Sequence, residues 1–486
     1  MSAQIARIPR SALAALLCAG VSGCLVGPNY KRPAAPTPTA YKEAAGWQPA
    51  QPSDAATRSD WWTAFGDPTL NALEARVIVS NQNLAAAEAN YRAAHALVAQ
   101  DRAALFPTVT LNASPSVSHS NGNGTVIVPG GGTAPVGGSG TRTTYNPSIG
   151  ASWAPDIWGS VRRTIENARD NAQASAATLA NARLSAQTEL AVDYIMLREY
   201  DEQKRILDDT VTAYTRTVEI TRNKYNAGVS AKSDLLSAQT QLENTRASDT
   251  DLEQQRARME HAIAILDGEP PADLTLAPGP WNLVLPAIPA SLPSTLLERR
   301  PDIASAERSA AAANASIGVA VAAYYPSISL SAQDGFTGGS LGALFSLGNN
   351  YWSFGAAVAE TIFDAGARSA KVRGARAAYD ATVATYRQTV LTALGQVEDN
   401  LAAQRVFGSE EAILATASQE ATENAAILKN QYLSGTVDFT AVVVVQAQAL
   451  QARTALAQMQ ANRLTTAVDL IEALGGGWTV SELPKD

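Results

Sequence analysis

Residues 161 to 225 contain neither proline nor glycine. At about 1.5 Å of rise per residue, such a stretch forms a helical rod of roughly 100 Å, far longer than an ordinary domain is wide. A second stretch, from Ala367 to Tyr432, also lacks proline and is interrupted only by Gly374, Gly395 and Gly408. Apolar residues recur along both at mostly alternating spacings of about four and three. They are Leu207, Val211, Tyr214, Val218, Thr221 and Tyr225, and then Tyr379, Val383, Tyr386, Val390, Leu394, Val397 and Leu401. That period is the seam of a coiled coil. A helix this long, with one seam and a polar remainder, needs neighbours along its whole length, and a closed ring of helices supplies them.

The two rods belong to two similar halves. Phe106-Pro107-Thr108-Val109-Thr110-Leu111 resembles Tyr325-Pro326-Ser327-Ile328-Ser329-Leu330, and Ile157-Trp158 matches Ile362-Phe363. Tyr225, Gly228, Gln239 and Gly268 match Tyr432, Gly435, Gln446 and Gly475. The spacing between the copies shortens across residues 121 to 140, NGNGTVIVPGGGTAPVGGSG, which read as a loop. Each half then runs helix, strand, loop, strand, very long helix, turn, long helix.

The strands alternate polar and apolar residues: Thr108, Thr110 and Asn112 against Val109, Leu111 and Ala113, and Ser353, Gly355 and Ala357 against Trp352, Phe354, Ala356 and Val358. Aromatics gather at the strand ends (Phe106, Tyr145, Trp158, Tyr324, Tyr325, Tyr351, Trp352, Phe363), as in the girdles of a membrane barrel. A soluble sandwich also alternates. Four strands cannot close a membrane barrel, for which about eight is the minimum. Two chains would give a narrow, side-chain-filled barrel, and three would give about twelve strands and a bore wide enough to begin to conduct, which is the favoured count.

The first residues have the parts of an export signal. Arg7 and Arg10 are basic, Leu13 to Val21 apolar, and Ser22 and Gly23 small. Val21-Ser22-Gly23-Cys24 also matches a lipoprotein signal, with cleavage after Gly23 and a diacylglyceryl group on Cys24. The other cysteine, Cys18, lies in the removed segment, so the mature chain holds no internal disulfide. Leu25 follows where aspartate would mark retention in the inner membrane, which points to the outer membrane. No apolar run of about 18 residues follows the N-terminus, which excludes a transmembrane helix there. The expected organisation is a signal peptide (1–23), a lipidated tether of linker composition (24–59), a first repeat (60–270), a linker (271–294), a second repeat (295–477) and a tail (478–486).

Catalysis has little to build on. Only His95, His119 and His261 exist, in three contexts, with no paired-cysteine spacing for a metal. The glycine-rich stretch before Gly140 lacks the following Lys-Ser/Thr of a phosphate cradle. The net charge of −8 carries no basic patch for nucleic acid. No cofactor, metal or enzyme activity is implied.

Five motifs, Cys24 to Pro33 (CLVGPNYKRP), Asp60-Trp61-Trp62, Phe65-Gly66-Asp67-Pro68, Glu298 to Ile303 (ERRPDI) and Leu474 to Trp478 (LGGGW), resemble the NodT-type lipoprotein branch of the TolC-like outer-membrane efflux proteins. The resemblance implies an α+β fold assembled as a homotrimeric α/β barrel, with four membrane strands per chain, a periplasmic helical tunnel and an equatorial belt. It implies the exit duct of a tripartite pump for drugs or other small toxic compounds. The partners would be a periplasmic adaptor, an inner-membrane transporter of the resistance-nodulation-division type, and outer-membrane lipid. The alternatives are a duct for secreted polypeptides or metal ions, and a structural envelope lipoprotein without a pore.

In that family the tunnel closes near the turns between the long helices, which match Lys224 to Ser230 and Gln431 to Val437, with Gly228 and Gly435 permitting the reversals. The resemblance places Asp234 and Tyr432 as one latch of the gate. Where the family can carry an arginine and two constriction aspartates, this chain has Val437, Ala441 and Val444. The run Ala441 to Val445 would resist ions by dewetting, or pack between helices.

Overall fold

The computed structural model describes residues 25–43, 60–120, 124–128, 132–136, 140–288 and 295–484. Cys24 and Gly23, expected to be the lipidation and cleavage positions, lie outside the described residues. After a short 3-10 turn at Trp61–Phe65 come α1 (Pro68–Ser80), α2 (Gln82–Ala103), β1 (Thr108–Ser120), β2 (Gly124–Val128), β3 (Gly132–Val136), β4 (Gly140–Trp153), α3 (Ser160–Asn226) and α4 (Lys232–Leu266). The second half holds α5 (Pro301–Ala322), β5 (Ser327–Phe336), β6 (Asn350–Ala359), α6 (Ala367–Leu433) and α7 (Phe439–Ala473). Both α3 and α6 are 67 residues long. Both α4 and α7 are 35. No helix among the described residues is long and apolar enough to cross a membrane.

One expectation is corrected. The stretch from Asn121 to Gly140 is not only a loop, because β2 and β3 pair antiparallel within it from Gly124↔Val136 to Val128↔Gly132. The β-branched run Thr125-Val126-Ile127-Val128 carries strand propensity that the surrounding glycines mask.

The described chain divides into two compact units, one holding Ala94–Asn171 and Ala310–Thr382 with residues up to Arg32, the other Pro33–Ala93, Ala172–Ser309 and Val383–Asp486. The first contains an antiparallel sheet in the order β1-β4-β5-β6. Its register sets Val109 beside Ala151, Leu111 beside Ile149, Ala151 beside Ala332, Ala332 beside Phe354 and Ile328 beside Val358. These residues share one face, which is laid open: Leu111 is 75%, Phe354 69% and Trp352 76% exposed. A soluble sheet would bury that face. The opposite face carries Thr108, Thr110, Asn112, Ser148, Ser329, Ser331 and Ser353, and there Gln333 donates to Ser148 Oγ at 3.0 Å and Tyr351 Oη at 3.2 Å. Among the described residues, the outer edges of β1 and β6 have no strand beside them.

The second unit has a conventional apolar interior. Trp61, Trp62, Phe65, Leu70, Leu190, Tyr194, Ile263 and Val468 bury together. The Asp67 carboxylate caps α1, accepting from the N–H groups of Thr69 (2.7 Å) and Leu70 (3.2 Å), and its other oxygen accepts from Tyr194 Oη at 2.8 Å. Pro68 supplies the preset first helical residue. Arg300 is buried, forks onto Asp302 at 3.0 and 2.7 Å and donates to Gln396 Oε1 and the Ala473 carbonyl. A Cβ on Gly475 would lie 2.1 Å from the Arg299 carbonyl, so two of the sequence motifs meet here. The segment expected as an extended tether is docked at its start. Tyr41 is buried, Arg387 donates to the Ala34 carbonyl, and the N–H groups of Lys42 and Glu43 donate to Glu398 at 2.8 and 3.0 Å.

One buried acid is out of balance. Glu74 is fully buried, and neither of its carboxyl oxygens has a hydrogen-bond partner. Burial first, and then the nearby Asp267, push its pKa up to about 9. The folded protein therefore keeps a proton that the unfolded chain releases above its usual value of 4.5. The contribution of this one carboxyl to stability then falls as pH rises from about 4.5 towards 9, by roughly 1.4 kcal/mol per pH unit at most. Glu74→Gln should raise the unfolding midpoint at pH 8, flatten this dependence and leave stability at pH 4 nearly unchanged, as measured by thermal melts across pH.

Candidate functional site

The turns joining the long helices share one backbone pattern. Gly228 and Val229 donate to the carbonyls of Tyr225 and Lys224, both at 2.9 Å, and Gly435 and Thr436 donate to those of Tyr432 (3.1 Å) and Gln431 (3.0 Å). Both glycines are left-handed, with φ of 73° and 76°, which a side chain would strain by about 1 kcal/mol. This 6→1 and 5→2 closure satisfies carbonyls at the helix C-termini that would otherwise have no donor.

A small apolar core sits against the turns, built from Tyr214, Val218, Ala238, Leu242, Tyr432, Phe439 and Val442. Tyr432 is its centre. Its ring lies 5.2 Å from that of Phe439, and its hydroxyl is 3.4 Å from Thr221 Oγ1. The Lys224 ammonium sits 3.9 Å from the Tyr432 ring centroid and donates to the Tyr432 carbonyl at 2.8 Å. A single side chain at the end of α3 thus satisfies the end of α6 and covers its aromatic ring. Burial pushes the Tyr214 phenol up, so it stays neutral inside this core.

Asp234 stands in the first turn of α4, where the helix dipole favours a carboxylate, and accepts from Ser230 Oγ at 2.7 Å. Asp234 and Tyr432, expected as partners, thus use different partners within one chain. The valine run divides by helical phase. Val442 and Val445 are buried, whereas Val444 is 49% exposed and Ala441 half-buried, so Ala441 and Val444 share an outward stripe. Lys224 lies within the expected turn, but its partner Tyr432 is 208 residues away, and nothing in the local sequence marks the contact. The site offers apolar surfaces that close against one another, with the Lys224 ammonium and the Asp234 carboxylate both engaged in hydrogen bonds.

The model for the family described as outer membrane efflux protein matches residues 75–269 and 292–476. The antibiotic efflux pump outer membrane protein ArpC of Pseudomonas putida is 30% identical over 464 residues, 94% of this chain and 93% of that one. The toluene efflux pump outer membrane protein TtgC of Pseudomonas putida matches with the same identity and coverage. Among solved structures, the outer-membrane channel OprN superposes with a TM-score of 0.83 at 32% identity, covering 94% of this chain and all of that one.

Replacing Lys224 with methionine should loosen the junction of the two turns. The amides of residues 221–229 and 431–437 should exchange hydrogen about tenfold faster, the loss of roughly one charge-assisted contact. Hydrogen-exchange mass spectrometry checks this, with the amides of α1 as the unaffected reference.

Proposed function

This chain belongs to the outer membrane efflux protein family, and from that membership we propose that three copies form the exit duct of a tripartite pump for small toxic compounds. As an outer-membrane efflux channel it is a passive conduit, and the family is not enzymatic in kind. The observation that carries the trimer is the four-stranded sheet with its apolar face outward and both edges open. Three such sheets joined edge to edge make about twelve strands, removing every edge and turning the hydroxyl-rich faces towards a common lumen. The paired long helices, each with a buried seam and further apolar side chains left exposed, support a helical tunnel on the periplasmic side. Energy enters elsewhere, through an inner-membrane transporter of the resistance-nodulation-division type reached by a periplasmic adaptor. Cleavage after Gly23 and acylation of Cys24 add a lipid tether.

The gate lies at the helix turns. Gly228 and Gly435 set the reversals, Tyr432 and Asp234 fix the ends of α6 and α4, and the outward stripe of Ala441 and Val444 forms an apolar constriction. An apolar ring stops ions by dewetting, without a ring of charge. Relatives acting on antibiotics and on toluene support small organic cargo.

Purified protein in planar bilayers should show discrete single-channel steps. Val444→Asp should raise both the closed-state leak and the cation selectivity. If both stay at wild-type values, the apolar gate is wrong, and if wild-type protein shows no steps, the duct itself is wrong.

A further inference from the structure

The residues directly after Cys24 are held in a groove built for them. Arg163, 1% exposed, points its guanidinium at the segment and donates from Nε to the Val26 carbonyl at 3.2 Å. Its Nη2 donates to the Gly27 carbonyl at 3.3 Å and to Asn29 Oδ1 at 2.9 Å, while Nη1 is held by Glu166 at 2.7 Å. From the other side the Val26 N–H donates to the Trp158 carbonyl at 3.2 Å, and Asn314 Nδ2 donates to the Pro28 carbonyl at 3.0 Å. Gly27 is left-handed at φ 90°, and a Cβ there would stand 2.5 Å from Gly318 Cα. A Cβ on Gly318 would stand 2.8 Å from Arg163 Cδ, so two glycines make the depth that the arginine fills. Trp158 fixes this groove at the strand–helix junction, stacking on Tyr325 at 4.9 Å and donating to the Pro326 carbonyl at 2.8 Å.

We propose that Arg163 is the positioning residue for the lipid anchor, gripping the carbonyls of Val26 and Gly27 so that the acyl chains on Cys24 leave the protein at the helix-side end of the membrane sheet. The proposal rests on the reading of Cys24 as acylated. Two Cα steps of about 3.8 Å separate Cys24 from Val26, so chain geometry keeps the Cα of Cys24 within about 8 Å of that of Val26. Acyl chains on a loose tether would confine the chain to a bilayer without orienting it. Chains fixed at the strand ends hold the sheet at the bilayer surface and raise its effective concentration for insertion. A forked, planar donor set spans two carbonyls and a side-chain amide, which a lysine ammonium does not reproduce.

The test uses the full chain with Arg163→Met, Arg163→Lys and Gly27→Ala, the last leaving α3 intact should the arginine variants fail to fold. Three quantities are measured: the mass of the N-terminal peptide, hydrogen exchange at residues 25–29, and the yield of trimer in the outer membrane. Acylation should be unchanged, exchange at residues 25–29 about tenfold faster, and trimer yield about fivefold lower, with Arg163→Lys giving no rescue. In a Cys24→Ala background with an ordinary cleavable signal, the same substitutions should lower the yield no further. An equal fall in that background would show that Arg163 merely holds the fold and would overturn the proposal, as would an undiminished yield once the segment is released. Absence of the diacylglyceryl mass from wild-type Cys24 would instead overturn the acylation reading, and the proposal with it.

Discussion

An open sheet edge inside hydrocarbon leaves a row of amide and carbonyl groups without partners, each costing several kcal/mol. Among the described residues the four-stranded sheet has two free edges, beyond β1 and beyond β6, that would be of this kind in a bilayer. Neither side chains nor lipid can satisfy them. In the proposed assembly other copies of the chain complete the sheet, and the same closure brings their helices into a shared ring. The seam residues Tyr386, Val390, Val397 and Leu401 are buried within the chain, whereas Leu391, Val406 and Ile413 are left exposed.

Much of this was legible because periodicity is a physical signal. The proline-free stretches located α3 and α6 to within a residue or two, since neither Val161 to Tyr225 nor Ala367 to Tyr432 holds a proline and the three glycines of the second are tolerated inside a helix. Alternation located β1, β5 and β6, where apolar and polar residues take turns along the strand. The β2–β3 ribbon was hidden because its strand-forming run is only a few residues long and glycines surround it. The docking of residues 34–43 was hidden for a different reason: proline-rich extended chain has linker composition whether it floats or lies against helices, and only Glu398 and Arg387, far away in sequence, decide which.

The candidate site was legible in outline and not in detail. Gly228 and Gly435 announced the turns, because a helix that reverses needs a left-handed residue. Which side chains join the two turns could not be read, since Lys224 and Tyr432 are distant in sequence and their contact combines a backbone carbonyl with a ring face. Arg163 gave no signal either. It reads as one more charged residue near the start of an amphipathic helix, and only the burial of its whole side chain separates it from the half-buried Arg162 beside it.

The equal lengths of α3 and α6, and of α4 and α7, bear on how such a stalk can change over generations. Deleting a heptad from one helix alone would shear its seam against the helix beside it and leave one turn hanging short of the other. A change of reach is therefore viable only as matched deletions or insertions in four helices encoded at two distant places. Stalk length is in consequence far harder to alter than the surface of the stalk, where single substitutions suffice, so lineages of this architecture should diverge in side chains long before they diverge in span.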